Sequence, residues 1–382
     1  MRIALVLGLC LLASAASAAP DAKSGKSQSN ASPGQVARDA LRERANQNVV
    51  TIMTGAPGGT DLSIVQDISQ ILDDGTDLRI VPMVGNGPAQ ALKDVLYLRG
   101  VDMGVTQANI LKYYARNGEL GPNLESQVVY VAKLFNEEVH IVARSGVADI
   151  RALDGQKVNL GEVGSGTAIT GQQMFSALGI KVQEMHLGER DAIEKVKSGE
   201  IAATITVAGK PALGLAAFAE GDGLKILSVP YLKDMEDGFY PATLTHADYP
   251  ALIAEGESVD TVSVCAVLMS FNWNGDAARR RKLAKFTDRF FTNFDALLEA
   301  PRHPKWREVN FAATLEGWRR APAAQAWIDR AKTVADSASQ TQFNAFLAEA
   351  PRAGAKPISE AERATLFRAF LEWNQSQKQS QN

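Results

Sequence analysis

Two glycine-rich turns supply the chemistry that this sequence offers most clearly, the binding of a small anion. One runs from Gly55 to Asp61 (GAPGGTD) and the other from Gly164 to Thr167 (GSGT), each between a strand-like run and a helix pattern. Backbone N–H groups and the positive end of the helix dipole converge at such a position, and the hydroxyls add donors. Each turn alone could equally be a capped turn without a ligand, with Thr60 or Asp61 as the cap. Paired in successive α/β segments, the turns would face one another across a cleft.

Polar residues after other predicted strands extend this candidate site. Ligands of open α/β sheets bind at the carboxyl ends of strands. Asn86 and Gln107 follow two such ends, and we call them polar selectors because their amides would select a ligand by hydrogen bonding. Tyr249 could reach the cleft or pack in the core. The predicted ligand-binding residues are Gly55, Gly58, Thr60, Asp61, Asn86, Gln107, Ser165, Gly166, Thr167 and Tyr249.

Searches for catalytic and metal-binding patterns come out negative. Ser165 lacks the glycines of a G-x-S-x-G nucleophile turn, since Val163 and Thr167 occupy those positions. The four histidines are far apart in sequence and have no cysteine partner, which argues against a zinc site. We interpret Glu137 and Glu138 as a solvated pair at a crossover. We therefore expect a binding protein, with no catalytic residue, no metal and no cofactor.

The elements that must position these residues alternate strand, turn and helix, which is typical of a mostly parallel sheet covered by helices. Two strand-like runs, 128–135 and 139–143, interrupt the alternation before it starts again. The predicted fold is therefore α/β, a two-lobed clamshell joined by crossing segments near 136–142 and 258–267. After Gly275 the pattern is helical throughout. The predicted divisions are a signal peptide at 1–18, a flexible tether at 19–48, lobe 1 at 49–137, lobe 2 at 138–262, a return to lobe 1 at 263–298 and a helical C-terminal extension at 299–382.

Composition favours an exported protein of neutral overall charge. The chain has 382 residues and a net charge of −3, too near neutral for a nucleic-acid binder driven by backbone contacts. A charged start, a short apolar run and a small-x-small site predict a signal peptide cut after Ala18, and hence the periplasm. Cleavage leaves Cys265 as the one cysteine, which we interpret as a buried small hydrophobe. The charge divides into −10 for the mature residues before Gly275 and +6 from there on.

At these motifs the sequence resembles the TAXI solute receptors of tripartite ATP-independent periplasmic (TRAP) transporters. The segment 54–60 (TGAPGGT) is similar to the family's TGSPGGTY, and 105–109 (VTQAN) to its VQSD. The segment 149–161 (DIRALDGQKVNLG) resembles DLKGKRVSVG and precedes the GSGT turn at the expected distance. Two later segments resemble the family's TYPG and V-T-V stretches: 245–250 and 260–264. The resemblance covers about 49–269.

This resemblance implies the type II periplasmic binding protein fold and reversible capture of a small organic solute, commonly an amino acid or a dicarboxylate. It implies delivery of the solute to the TRAP membrane subunits, without covalent chemistry. The family usually has two aromatic residues after GGT, where this chain has Asp61 and Leu62. A carboxylate there would repel a dicarboxylate and favour a ligand ammonium, unless Asp61 only caps the helix. We expect a monomer whose partners are the solute and the TRAP membrane subunits, with no nucleic acid.

Two other functions stay open. The same fold could serve as a periplasmic ligand sensor for a membrane kinase, which an adjacent kinase gene would favour over adjacent TRAP subunit genes. An exported hydrolase is a different class of protein, and the missing nucleophile–histidine arrangement argues against it.

Overall fold

The computed structural model describes residues 32–219 and 221–349, together with 366, 367 and 370. The predicted signal peptide lies outside the described residues. Contacts divide the chain into two compact units, residues 1–44 and 45–382. The first unit holds most of helix α1 (Pro33–Gln47), and the fold described below belongs to the second.

Strands and helices alternate in the first half of the second unit, as the sequence pattern predicts. Within the described part of the chain, eleven strands join in a single sheet. Strand β1 (Val49–Met53) pairs in parallel with β2 (Arg79–Met83) on one side and β3 (Met103–Gln107) on the other, because the helices between them return the chain to the same end of the sheet. The elements are β1 (Val49–Met53), α2 (Thr60–Leu72), β2 (Arg79–Met83), α3 (Pro88–Tyr97), β3 (Met103–Gln107), α4 (Ala108–Asn117) and α5 (Leu124–Gln127).

A long strand, β4 (Val128–Arg144), leads from this half into the next. The sequence predicted two separate strands here, and the structure has one of 17 residues, buried along nearly all of its length. A second α/β set follows it, in which β5 pairs in parallel with β6 and β7. Its elements are β5 (Lys157–Asn159), α6 (Gly166–Leu178), β6 (Gln183–Met185), α7 (Glu189–Ser198), β7 (Ala203–Ala208), α8 (Leu213–Ala216), β8 (Leu224–Ile226) and β9 (Tyr240–Thr245).

A second long strand, β10 (Ser258–Phe271), returns the chain to the first half. Its residues 266–270 pair with β3 and its residues 258–263 pair with β9, so one strand belongs to both halves. Strand β4 also belongs to both halves. It pairs with β10 and, through residues 138–143, with β7. The predicted two-lobed α/β fold with two crossing segments is confirmed.

The chain after Gly275 is less helical than the sequence predicts. Helix α9 (Ala277–Thr292) is followed by two 3₁₀ turns, a two-residue strand and a long helix, so the expectation of continuous helix is wrong between 299 and 321. The Trp306 side chain is fully buried in the core of the first half, and its indole N–H donates to Asp67 at 2.9 Å. Burial of this indole in the first half holds the segment as compact turns. The remaining elements are 3₁₀ turns at Phe294–Leu297 and Pro304–Glu308, β11 (Arg319–Arg320) and α10 (Pro322–Glu349).

Each half of the sheet has its own apolar core. One core packs β1, β3 and β10 against α2, α9 and Trp306, and another packs β5 and β7 against α6. Cys265 is 2 % exposed, which confirms its reading as a buried hydrophobe, and burial raises the pKa of its thiol to about 11. None of the helices within the described ranges has both the length and the apolarity to cross a bilayer.

Candidate functional site

A cavity of about 390 Å³ brings the two glycine-rich turns together. Its walls come from the loops before α2 and α3, the end of β3, the middle of β4 and the N-terminus of α6, with β7 and the starts of α7 and α8 on the other side. This volume suits a small molecule. Nine of the ten predicted ligand-binding residues line it: Gly55, Gly58, Thr60, Asp61, Asn86, Gln107, Ser165, Gly166 and Thr167.

The second glycine-rich turn presents the N-terminus of α6 to the cavity. Gly164 has a φ of 73°, in the left-handed region that glycine enters without penalty, and so redirects the chain into the helix. Ser165 is the N-cap residue, and its Oγ accepts from the backbone N–H of Ala168 at 3.1 Å. First-turn N–H groups have no partner within their own helix, and together with the dipole they stabilise an anion. This wall of the cavity is therefore its electropositive pole.

The first glycine-rich turn leaves the Asp61 carboxyl in the cavity and does not use it as a cap. Gly59 is the N-cap residue of α2, and Thr60 and Asp61 are the first two helical residues. Thr60 Oγ1 accepts from the backbone N–H of Gly209 at 3.1 Å. The interpretation of Thr60 or Asp61 as the cap is wrong, because the backbone of Gly59 takes that position.

Asp61 and Glu137 are two buried carboxyl groups on the same cavity, and are 4 % and 3 % exposed. Burial raises the pKa of Asp61 to about 7. Burial, and after it the charge of Asp61, raises the pKa of Glu137 well above its usual range. Glu137 Oε2 accepts from Gln107 Nε2 at 2.7 Å, whereas Asp61 Oδ1 has no partner among the described residues. Two interacting carboxyl groups of this kind titrate as a coupled pair and not independently.

Glu138, the next residue on β4, is buried against a different partner. Its Oε1 lies 2.6 Å from Lys305 Nζ, and its Oε2 accepts from the backbone N–H of Lys210 at 2.9 Å. Successive side chains of a strand point to opposite faces, so Glu137 faces the cavity and Glu138 faces Lys305. The interpretation of Glu137 and Glu138 as a solvated pair is therefore wrong. No sequence pattern could have indicated the pairing of Glu138 with Lys305, because Lys305 lies 167 residues further along the chain.

The two predicted polar selectors have different surroundings. Gln107 is buried, and its amide links the two sides of the site: Nε2 donates to Glu137, while Oε1 accepts from Thr170 Oγ1 at 3.4 Å. Asn86 is exposed, and its backbone N–H donates to Gln90 Oε1 at 2.8 Å. Gln107 therefore has a fixed orientation in the cavity, whereas Asn86 stands at its rim.

Residues 52–272 match the model of the NMT1-like family, which is more than half of the chain. The chain belongs to the NMT1-like family. It is also similar to solved structures of periplasmic proteins at low sequence identity. A periplasmic transporter structure is 14 % identical with a TM-score of 0.45, over 76 % of this chain and 95 % of that one. The periplasmic binding protein BugD is 13 % identical with a TM-score of 0.46, over 74 % and 93 %. A TctC solute-binding protein from Polaromonas is 15 % identical with a TM-score of 0.37, over 65 % and 88 %.

Tyr249 of this NMT1-like protein lies behind the cavity wall and not in it. It is buried in the apolar core, where its hydroxyl accepts from the backbone N–H of Ala212 at 2.7 Å and lies 2.8 Å from His140 Nε2. His140 Nδ1 is 3.3 Å from the carbonyl oxygen of Thr206, and burial lowers the pKa of the ring to about 4. A neutral ring that donates through Nδ1 and accepts through Nε2 satisfies every group. Ala212 and Thr206 both line the cavity, so this pair fixes its wall.

Several contacts in the NMT1-like protein join residues 49–137 to residues 138–262 around the cavity. Asn109 Nδ2 donates to Thr170 Oγ1 at 2.8 Å, and Lys112 Nζ lies 2.8 Å from Asp237 Oδ1. Pro88 packs so closely against Gly166 that a Cβ there would lie 2.9 Å from Pro88 Cδ. The two halves are thus in contact beside a cavity that is partly open to solvent. Among the described residues, no group of three or more His, Cys, Asp or Glu side chains could hold a metal ion.

Proposed function

We propose that this protein is a periplasmic solute-binding receptor that captures a small carboxylate-bearing solute, an amino acid or an organic acid, between two lobes. The observation that carries the proposal is the meeting of both glycine-rich turns on one cavity, with the N-terminus of α6 as an anion-binding wall. In this proposal Ser165, Gly166 and Thr167 hold the carboxylate. The lobes, residues 49–137 and 138–262, close about β4 and β10.

The proposed delivery partner is the pair of membrane subunits of a TRAP transporter, and the receptor acts as a monomer without a cofactor. The sequence motifs shared with TAXI receptors support this part of the proposal. Adjacent genes for TRAP membrane subunits would agree with it, whereas an adjacent membrane-kinase gene would favour a sensor with the same cavity.

Calorimetric titration with a panel of amino acids and organic acids tests the binding role. We expect at least one member to bind, and the double variant Ser165→Ala/Thr167→Ala to weaken it about 10-fold or more, since each lost hydrogen bond to a charged group is worth about 1.5–3 kcal/mol. A matched control is Ser198→Ala/Thr76→Ala, at two exposed positions away from the cavity. Equal affinity in all three proteins would overturn the assignment of the α6 turn.

A further inference from the structure

One oxygen in the cavity has no hydrogen-bond partner. Asp61 Oδ1 is buried and unpartnered among the described residues, and Asp61 lines the cavity. A buried carboxylate without a donor is destabilised, which is why the pKa of Asp61 is raised to about 7. A donor that arrives with the solute would remove this destabilisation.

A second buried carboxyl group, that of Glu137, lines the same cavity as Asp61. The charge of one carboxyl group therefore acts on the other. Gln107 Nε2 satisfies only Glu137 Oε2. Two carboxyl groups with one amide donor between them are still short of positive charge.

The charged side chains that line the cavity are all acidic, which also favours a cationic group on the solute. Glu189, the first residue of α7, is a third acid at the wall, and its Oε1 accepts from Thr206 Oγ1 at 3.3 Å. No lysine or arginine is among the described residues that line the cavity. Lys305, the one buried lysine or arginine among the described residues, is held by Glu138 and Glu308 at 2.6 and 2.7 Å. A solute with two carboxylates and no cationic group would meet two buried acids and the exposed Glu189, with backbone N–H groups at helix N-termini, that of α6 among them, as its positive partners.

The acidic and the anion-binding walls are close together. Gln107 spans the space between them, since its Nε2 reaches Glu137 while its Oε1 would lie 3.2 Å from a Cβ on Gly166. One amide side chain thus separates the two poles. A zwitterion with its amine and its carboxylate a few bonds apart fits that separation.

From this geometry we infer that Asp61 and Glu137, with Glu189 at the wall, form a cation subsite that binds a protonated nitrogen of the solute. The solute class is therefore an amine-bearing zwitterion and not a dicarboxylate. This inference rests on the proposed receptor function and narrows its substrate.

Titration with matched pairs tests it. Each amino acid is compared with the acid of the same carbon skeleton that lacks the amine: L-glutamate with glutarate, L-leucine with 4-methylpentanoate and L-phenylalanine with 3-phenylpropionate. In the pair that binds most tightly, we expect the affinity for the amino acid to exceed that for its deaminated acid by about 10-fold or more. Asp61→Asn and Glu137→Gln should each reduce amino-acid affinity about 10- to 100-fold, the value of one charged hydrogen bond. Glu125→Gln, at an exposed acid outside the cavity, is the control and should change nothing.

The outcomes separate the inference from the receptor function. A deaminated acid could bind as tightly as its amino acid, and the variant Ser165→Ala/Thr167→Ala could weaken that binding. This result would support the receptor function and overturn the cation subsite. Tighter binding of the amino acid by Asp61→Asn than by the wild type would also overturn the cation subsite. So would binding of a metal ion there, seen as heat from calcium chloride or sodium chloride alone that Asp61→Asn abolishes. If no pair binds and native mass spectrometry finds no co-purified small molecule, both proposals fail.

Discussion

Asn109 on α4 donates through Nδ2 to Thr170 Oγ1 on α6 at 2.8 Å, and the same amide reaches Gln173 Oε1 at 3.0 Å. These bonds join two helices that flank the cavity from opposite halves of the sheet. Because each bond has one partner in either half, both form only when the halves are in contact. The stability of the contact between the halves therefore depends in part on one side chain of α4.

Replacement of Asn109 by Ala should favour the separated halves. Loss of the bonds to Thr170 and Gln173 costs about 1–2 kcal/mol of the closed form. Because solute binds between the halves in our proposal, its dissociation constant should rise about 5- to 30-fold. Small-angle scattering should report a larger radius of gyration without solute. Asn117→Ala, at the exposed end of the same helix, is the control. Unchanged affinity and scattering would show that these bonds do not hold the halves together.

Gly166→Ala should prevent the close approach at the anion-binding wall. The new Cβ would lie 2.9 Å from Pro88 Cδ and 3.2 Å from Gln107 Oε1. The start of α6 must therefore move away from Pro88 and Gln107. Overpacking of this kind costs about 1–3 kcal/mol, and we expect at least a 10-fold loss of solute affinity with circular dichroism unchanged. Gly146→Ala is the matched control, because nothing lies within 4 Å of its Cβ. Native affinity in Gly166→Ala would argue against this contact in the bound form.

Tyr249→Phe should destabilise the fold although Tyr249 is outside the cavity. The change removes the partner of the Ala212 N–H and of His140 Nε2, two buried groups. Unsatisfied buried groups cost about 1–3 kcal/mol each, so the free energy of unfolding in urea should fall by about 2 kcal/mol or more. Tyr113→Phe, at a half-buried ring, should change it by less than about 0.5 kcal/mol. Equal losses in the two variants would mean that the hydroxyl of Tyr249 has no special role.

The pH dependence of stability should distinguish the wild type from Asp61→Asn. The folded state raises the pKa of Asp61, so it holds a proton that the unfolded chain has already lost. The stabilisation from this proton is complete below about pH 4 and disappears as pH rises through about 7, by about 1.4 kcal/mol per unit. The difference in unfolding free energy, wild type minus variant, should therefore fall between pH 5 and 7.

This comparison of variants is needed because other groups titrate nearby. His140 acts in the opposite direction: burial lowers its pKa to about 4, so its contribution is lost as pH falls from about 6.5 towards 4. Glu137 lines the same cavity, and Glu138, whose pKa burial also raises, lies on the opposite face of β4 beside Lys305. In the proposed receptor, affinity for an amino acid should rise as pH increases through 7, and Asp61→Asn should remove that rise. A flat difference curve would contradict the raised pKa of Asp61.

The sequence predicts those parts of the site that depend on local pattern. A strand, a glycine turn and a helix start leave a clear signature at Gly55 and at Gly164, and α/β topology brings strand ends together. Contacts between distant segments leave none. The pairing of Lys305 with Glu138, and the burial of Trp306 in the first half, could not be predicted because the residues are far apart in sequence. For Tyr249 the pattern allowed both cleft and core, and the bonds to His140 and Ala212 place it in the core.

The adjacency of Glu137 and Glu138 on β4 constrains that strand beyond the usual demand for apolar packing. The side-chain period of a strand is two, so a shift in register by one residue exchanges its faces. An insertion of one residue before Glu137 would bring Glu137 onto the face of Lys305 and leave the inserted residue or Asn136 in its place at the cavity. Strand β4 should therefore tolerate substitutions near its middle better than any change in length.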